Sequence, residues 1–125
     1  MLLLSLIATA AIGVLHLYIM VLEMFFWTKP LGMKSFGLKP DFAQASRALA
    51  ANQGLYNGFL AAGLLWGVAQ GMTGFAVQVF FLGCVVVAGV FGALTASRKI
   101  LFVQAVPGAI ALGLVFMARM GAGYA

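Results

Sequence analysis

Residues 51–69 read ANQGLYNGFLAAGLLWGVA: three primary amides and a tyrosine lead straight into an apolar run. If the whole stretch is one helix inside a bilayer, Asn52, Gln53 and Asn57 stand where every polar group needs a partner. What those amides meet decides whether the helix is a plain span or one wall of a polar site.

The rest of the chain makes a bilayer the natural setting. Of 125 residues, 65% are apolar, with seven basic and two acidic side chains, and the mean hydropathy is +1.14. A water-soluble domain of this length needs far more polar surface. Four stretches, at about 2–27, 44–69, 75–96 and 100–119, have the length that a hydrocarbon core of about 30 Å demands of a helix. The expected fold is all-α: a membrane four-helix bundle of four transmembrane helices, forming one integral membrane domain over residues 1–125. The opening MLLLSLIATAAIG has no basic leader and stays apolar past any small-residue cleavage site, so it reads as a retained first span. Cys84 is the single cysteine, which excludes an intrachain disulfide and reads as packing.

Between the spans, TKPLGMKSFGLKPD (28–41) reads as loop from its prolines, glycines and lysines, with Asp41 or Ser46 available to start the next helix. QGMTG (70–74) reads as a tight uncharged turn and SRK (97–99) as another. Loops 1–2 and 3–4 share one side and carry Lys29, Lys34, Lys39, Arg98 and Lys99, with Arg47 just beyond; the opposite side carries Arg119. The positive-inside rule therefore puts the basic loops in the cytoplasm and both termini on the non-cytoplasmic side. The net charge of +5 sits at helix ends and forms no groove-tracking patch, so no nucleic-acid partner is expected. These residues set topology and meet membrane lipid headgroups.

Helix phase gathers the polar residues. His16 and Glu23 are two turns apart on one face of span 1, with Ser5 and Thr9 near the same line. Asn52, Gln53, Tyr56 and Asn57 cover an arc of about 140° on span 2. Gln104 lies one turn into span 4 on the basic side, and Arg47 opens span 2. At about 1.5 Å per residue, Glu23 is roughly 6 Å and His16 roughly 16 Å in from the Trp27 anchor. The strongly polar side chains thus share the cytoplasmic half, and a polar cleft facing the cytoplasm is expected. Taken singly, amides glue membrane helices, Tyr56 serves as an amphipathic core residue, and His16 serves as a hydrogen-bonded interior histidine. A carboxylate in a span points to function more strongly. Small residues at four-residue spacing, Ala50, Gly54, Gly58 and Ala62 in span 2 and Ala88, Gly92 and Ala96 in span 3, predict close helix contacts. Pro107 predicts a kink inside span 4.

The candidate ligand-binding set is Glu23, His16, Asn52, Gln53, Tyr56, Asn57, Gln104 and Arg47. Glu23 would be the proton or cation site, His16 its deeper partner, and Asn52, Gln53, Asn57 and Gln104 the hydrogen-bonding wall. One histidine, one cysteine and two carboxylates do not fill a four-ligand metal site, so no metal is expected; Met20 and Met24, four residues apart after His16, read as packing. Four helices enclose little volume alone, so a homo-oligomer, dimer or trimer, is expected around an unidentified small molecule.

HLYIMVLEMFFW, ANQGLYNGFLAAGLLWG, VVAGVFGALT and QAVPGAIAL, one from each span, resemble domain-of-unknown-function family 1304. That resemblance covers nearly the whole chain; it implies a small multi-pass protein of the bacterial inner membrane and supplies no activity. SRALAANQGLYN is similar to the start of span 2 in the membrane-associated eicosanoid and glutathione metabolism family, roughly R-A-x-x-N-x-x-E. Arg47, Ala48 and Asn52 fall on that pattern with Ala51 lengthening it by one, whereas the acidic residue is missing. This second resemblance implies four-helix trimers and glutathione as a cofactor. Small multidrug-resistance exporters share the four-span plan and a lone span-1 glutamate, but not the strong charge bias. The expected function is small-molecule binding or proton-linked transport. The alternatives are a glutathione- or lipid-dependent membrane enzyme and a structural bundle.

Overall fold

The computed structural model describes residues 1–123. It is all-helical, with no strand among the described residues. Six α-helices follow in order: α1 (Leu2–Phe25), α2 (Pro30–Phe36), α3 (Pro40–Ala45), α4 (Arg47–Ala69), α5 (Phe75–Thr95) and α6 (Val106–Gly121). A 3-10 turn at Gly71–Gly74 precedes α5 and a π-helical turn at Leu101–Ala105 precedes α6. The chain divides into two compact units, Val14–Ala61 and Met1–Gly13 with Ala62–Ala125.

In the Val14–Ala61 unit, the segment expected as loop contains two short helices. Proline at the first helical position gives up an N–H that has no intrahelical partner anyway, and its fixed φ suits the helix start. Pro30 and Pro40 use this property, each after an extended lysine. Gly37 closes α2 at φ 64, where a side chain would be strained, and Leu38 N–H reaches back to Met33 O at 2.8 Å. The prolines and glycines that suggested a loop are therefore helix punctuation. Trp27 ties the segment together: its Nε1 donates to Ser46 Oγ at 3.0 Å and its ring lies 5.0 Å from that of Phe36. Ser46 Oγ in turn donates to Phe42 O, and this residue separates α3 from α4.

Still within that unit, α4 meets α1 through glycine. A Cβ on Gly54 would sit 2.6 Å from Met24 Cγ, and one on Gly58 would sit 2.8 Å from Met20 Sδ. Ala50 and Ala61 are buried beside them. The expected stripe ended on Ala62, which is exposed; at 3.6 residues per turn a contact line must shift from four-residue to three-residue steps.

In the other unit, α5 buries Gln78, Leu82, Val85 and Gly89, and α6 buries Gly108, Ala111 and Val115. A Cβ on Gly89 would lie 2.6 Å from Ala105 N, and one on Gly108 would lie 2.9 Å from Val85 Cγ1. The expected α5 stripe is one residue out of phase: Ala88 and Ala96 are exposed, and only Gly92 keeps a neighbour, Ile100. Pro107 lies in the first turn of α6, directly after the π-helical turn that continues the same helical stretch. Its lost hydrogen bond and ring crowding are absorbed upstream, where Val106 N–H reaches Leu101 O in the wider π pattern.

Among the described residues, three helical stretches are long and apolar enough to cross a membrane: Leu2–Phe25, Gly71–Thr95 and Leu101–Gly121. The expected count of four is corrected by α4. It has 23 residues, but Arg47, Asn52, Gln53, Tyr56 and Asn57 leave it less apolar than the others.

Two alanine substitutions in α5 test this packing. Gly89→Ala forces a methyl against the Ala105 backbone and should cost about 1–3 kcal/mol. Gly83 has open space around its missing Cβ, so Gly83→Ala should gain up to about 1 kcal/mol from helix propensity. Unfolding in detergent monitored by circular dichroism reads both.

Candidate functional site

Glu23 stands two residues before the end of α1, and Asn57 lies between Gly54 and Gly58 on α4. Because those glycines admit the α1 side chains so closely, the Asn57 amide reaches the carboxylate. Asn57 Nδ2 donates to Glu23 Oε1 at 2.6 Å and to Gln53 O at 3.2 Å. Both residues are half-buried.

Donor counting defines what this pair offers. A primary amide nitrogen carries two hydrogens, and here both are engaged. What remains on the pair is Glu23 Oε2 and Asn57 Oδ1, both acceptors when the carboxylate is ionised. Among the described residues no basic side chain is hydrogen-bonded to Glu23; its partner is Asn57. The arrangement suits a proton or a small cation bearing N–H or O–H groups.

The other sequence-selected residues distribute differently. His16 is fully buried on α1, two helical turns before Glu23, with Met20 between them packed over the Gly58 position. Asn52 is exposed and spends its amide on Ala48 O at 2.9 Å. Gln53 is exposed, and Tyr56 is exposed with its ring 6.2 Å from that of Phe59. Arg47 is exposed at the first position of α4. Gln104 is half-buried in the π-helical turn of the other unit. Ser5 and Thr9 turn their hydroxyls onto their own helix, to Leu2 O and Ser5 O. The structure thus joins Glu23 to Asn57 and leaves Asn52, Gln53, Tyr56 and Arg47 on the surface of the chain.

One polar residue escaped the sequence analysis. Gln78 is 2% exposed, with Nε2 donating to Gly67 O at 3.1 Å and Gly71 O at 3.4 Å. Its Oε1 has no partner among the described residues. It lines a cavity of about 20 Å³ with Ser5, Phe75 and Arg119, a size that suits about one water molecule. The Arg119 guanidinium lies 4.6 Å from the centre of the Phe75 ring. A signal was present: an amide in the first turn of an otherwise apolar helix, one turn after a glycine-rich turn, is placed to hold carbonyls that the turn leaves open.

Residues 10–116 match the model of a family described as "Protein of unknown function (DUF1304)". The chain is also similar to "Uncharacterized protein YpaA" of Lactococcus lactis subsp. lactis (strain IL1403). The two are 26% identical over 106 residues, covering 83% of this chain and 89% of that protein. No solved structure matches the chain. Glu23 and Asn57 both lie inside the family match, and Ser5 and Arg119 lie outside it.

A double-mutant cycle measures the central contact. Glu23→Ala and Asn57→Ala should couple by about 0.6–2 kcal/mol, the range of interhelical hydrogen bonds between membrane helices. Glu23→Ala with Asn52→Ala should couple by less than about 0.5 kcal/mol, because Asn52 bonds its own helix. Reversible unfolding in mixed micelles provides the four free energies of each cycle.

Proposed function

We propose that this chain, which belongs to the DUF1304 family, is a multi-pass membrane protein that binds a proton or a small hydrogen-bond-donating molecule at Glu23 and carries it toward the other side. The observation that carries this reading is Glu23 itself: a half-buried carboxylate, held by one amide and offering a free oxygen with no basic side chain bonded to it. An ionisable carboxylate within a span is costly and by default marks a functional site, and here one of its oxygens is left to accept a ligand proton.

In this reading α4 is the fourth span. Its 23 residues extend about 34 Å, enough for the hydrocarbon core. Its amides are the reason it falls short in apolarity, and two of them are already engaged, on Ala48 O and on Glu23 and Gln53 O. The exposed Asn52, Gln53 and Tyr56 are covered by another copy of the chain, since bare amides against acyl chains are costly. The basic connections then face the cytoplasm and the termini lie outside, in the inner membrane of a bacterium.

Proton flux into liposomes, read by an entrapped pH-sensitive dye under an imposed gradient, tests the function. The wild-type protein should collapse the gradient faster than protein-free liposomes, and Glu23→Gln should slow this by about ten-fold or more. Equal rates for the two proteins would remove Glu23 from the mechanism. The oligomer is tested separately: paired Asn52→Leu and Gln53→Leu substitutions should shift the detergent-solubilised protein toward monomer in sedimentation.

A further inference from the structure

The α2–α3 segment is a second feature with chemistry of its own, independent of Glu23. We infer that these two short helices form a platform for an anionic lipid surface, with Trp27 as its root. Helices of seven and six residues have too few hydrogen bonds to persist alone, so their positions depend on what anchors them. On the inner side the anchors are Gly32, where a Cβ would collide with Phe26 O, and fully buried Ala43. The Trp27 indole adds its bond to Ser46 and its contact with Phe36.

The exposed surface of the segment is both apolar and cationic. Leu31 and Phe42 are exposed by 48% and 58%, and the Phe36 ring, packed on Trp27, keeps 39% exposed. Lys29, Lys34, Lys39 and Arg47 are exposed among them, against the single acid Asp41. Large apolar side chains interleaved with lysines are the pattern of a segment lying in the membrane–water boundary. The rings and the leucine enter the acyl boundary, while the lysine stems run along it and carry their ammonium groups to the phosphates. Charge decides the occupant. A second copy of this segment would bring four cations against four, whereas phosphatidylglycerol brings the opposite sign and acyl chains for the exposed rings.

Trp27 makes the inference measurable, because the chain has two tryptophans, Trp27 and Trp66. A Trp66→Phe protein leaves Trp27 as the single reporter. It is reconstituted in mixed phosphatidylcholine and phosphatidylglycerol vesicles in which only one of the two lipids carries brominated chains. Bromines on phosphatidylglycerol should quench Trp27 more strongly than the same number on phosphatidylcholine. The preference should fall by about five-fold for each cation removed, up to the full difference, through Lys29→Gln, Lys34→Gln and Lys39→Gln. Unbrominated emission checks that the Trp27 environment survives each change. Should a variant misfold, salt decides on the unaltered platform: moving from about 0.1 M to about 1 M shortens screening from about 10 Å to about 3 Å and should erase the preference. Equal quenching by the two lipids, or a preference indifferent to salt, would overturn the inference.

Discussion

Within the Val14–Ala61 unit, the contact of α4 with α1 across Gly54 and Gly58 is the constraint on which the candidate site depends. Acyl chains are as apolar as leucine, so burying leucine against leucine draws membrane helices together only weakly. Dispersion contact between closely approaching backbones and a few interhelical hydrogen bonds must do it. Glycine permits both here: Met20 and Met24 occupy the space that Cβ atoms would fill, and the Asn57 amide comes within 2.6 Å of Glu23. A larger residue at Gly54, which also faces Glu23 Cβ and the Met20 carbonyl, would push α4 outward and part the amide from the carboxylate, whereas at Gly58 the flexible Met20 side chain can yield.

The pair is unequal in what it offers. Asn57 spends both of its hydrogens, one on Glu23 and one on its own helix, so the pair turns only acceptors outward. That asymmetry is what disposes the proposed site toward hydrogen-bond donors. Asn52 and Gln53 are exposed, with the Asn52 amide bonded back to its own helix at Ala48 O. In the proposed assembly, another copy of the chain covers the surface that bears them.

Proline shapes the chain in two opposite ways. At Pro30 and Pro40 it opens short helices where its missing N–H costs nothing. At Pro107 it stands inside a long helical run, and the turn before it widens to the π pattern. Glycine is equally divided between Gly37, a turn that needs positive φ, and Gly89, a close crossing with the Ala105 backbone. Composition alone registers each of these as a helix breaker.

Apolarity and length are properties of consecutive residues, so the sequence determined by itself that the chain is helical and built from membrane-compatible segments, and the turns at 70–74 and 97–99 were legible for the same reason. Family membership was legible too, in motifs drawn from every long helix. Phase and partnership were not, because they depend on which residues of a second helix face the first. A strict four-residue count misplaced the contact lines at Ala62 and Ala88, and an arc of amides looked convergent when only Asn57 turns to Glu23. The Gln78 anchor and the short helices at 30–36 and 40–45 left signals in the sequence, an amide just after a glycine-rich turn and prolines that open helices, but the carbonyls and rings that hold them come from elsewhere in the same unit. Tertiary structure decided which polar atoms met partners, and with them which carboxylate oxygen was left to accept another.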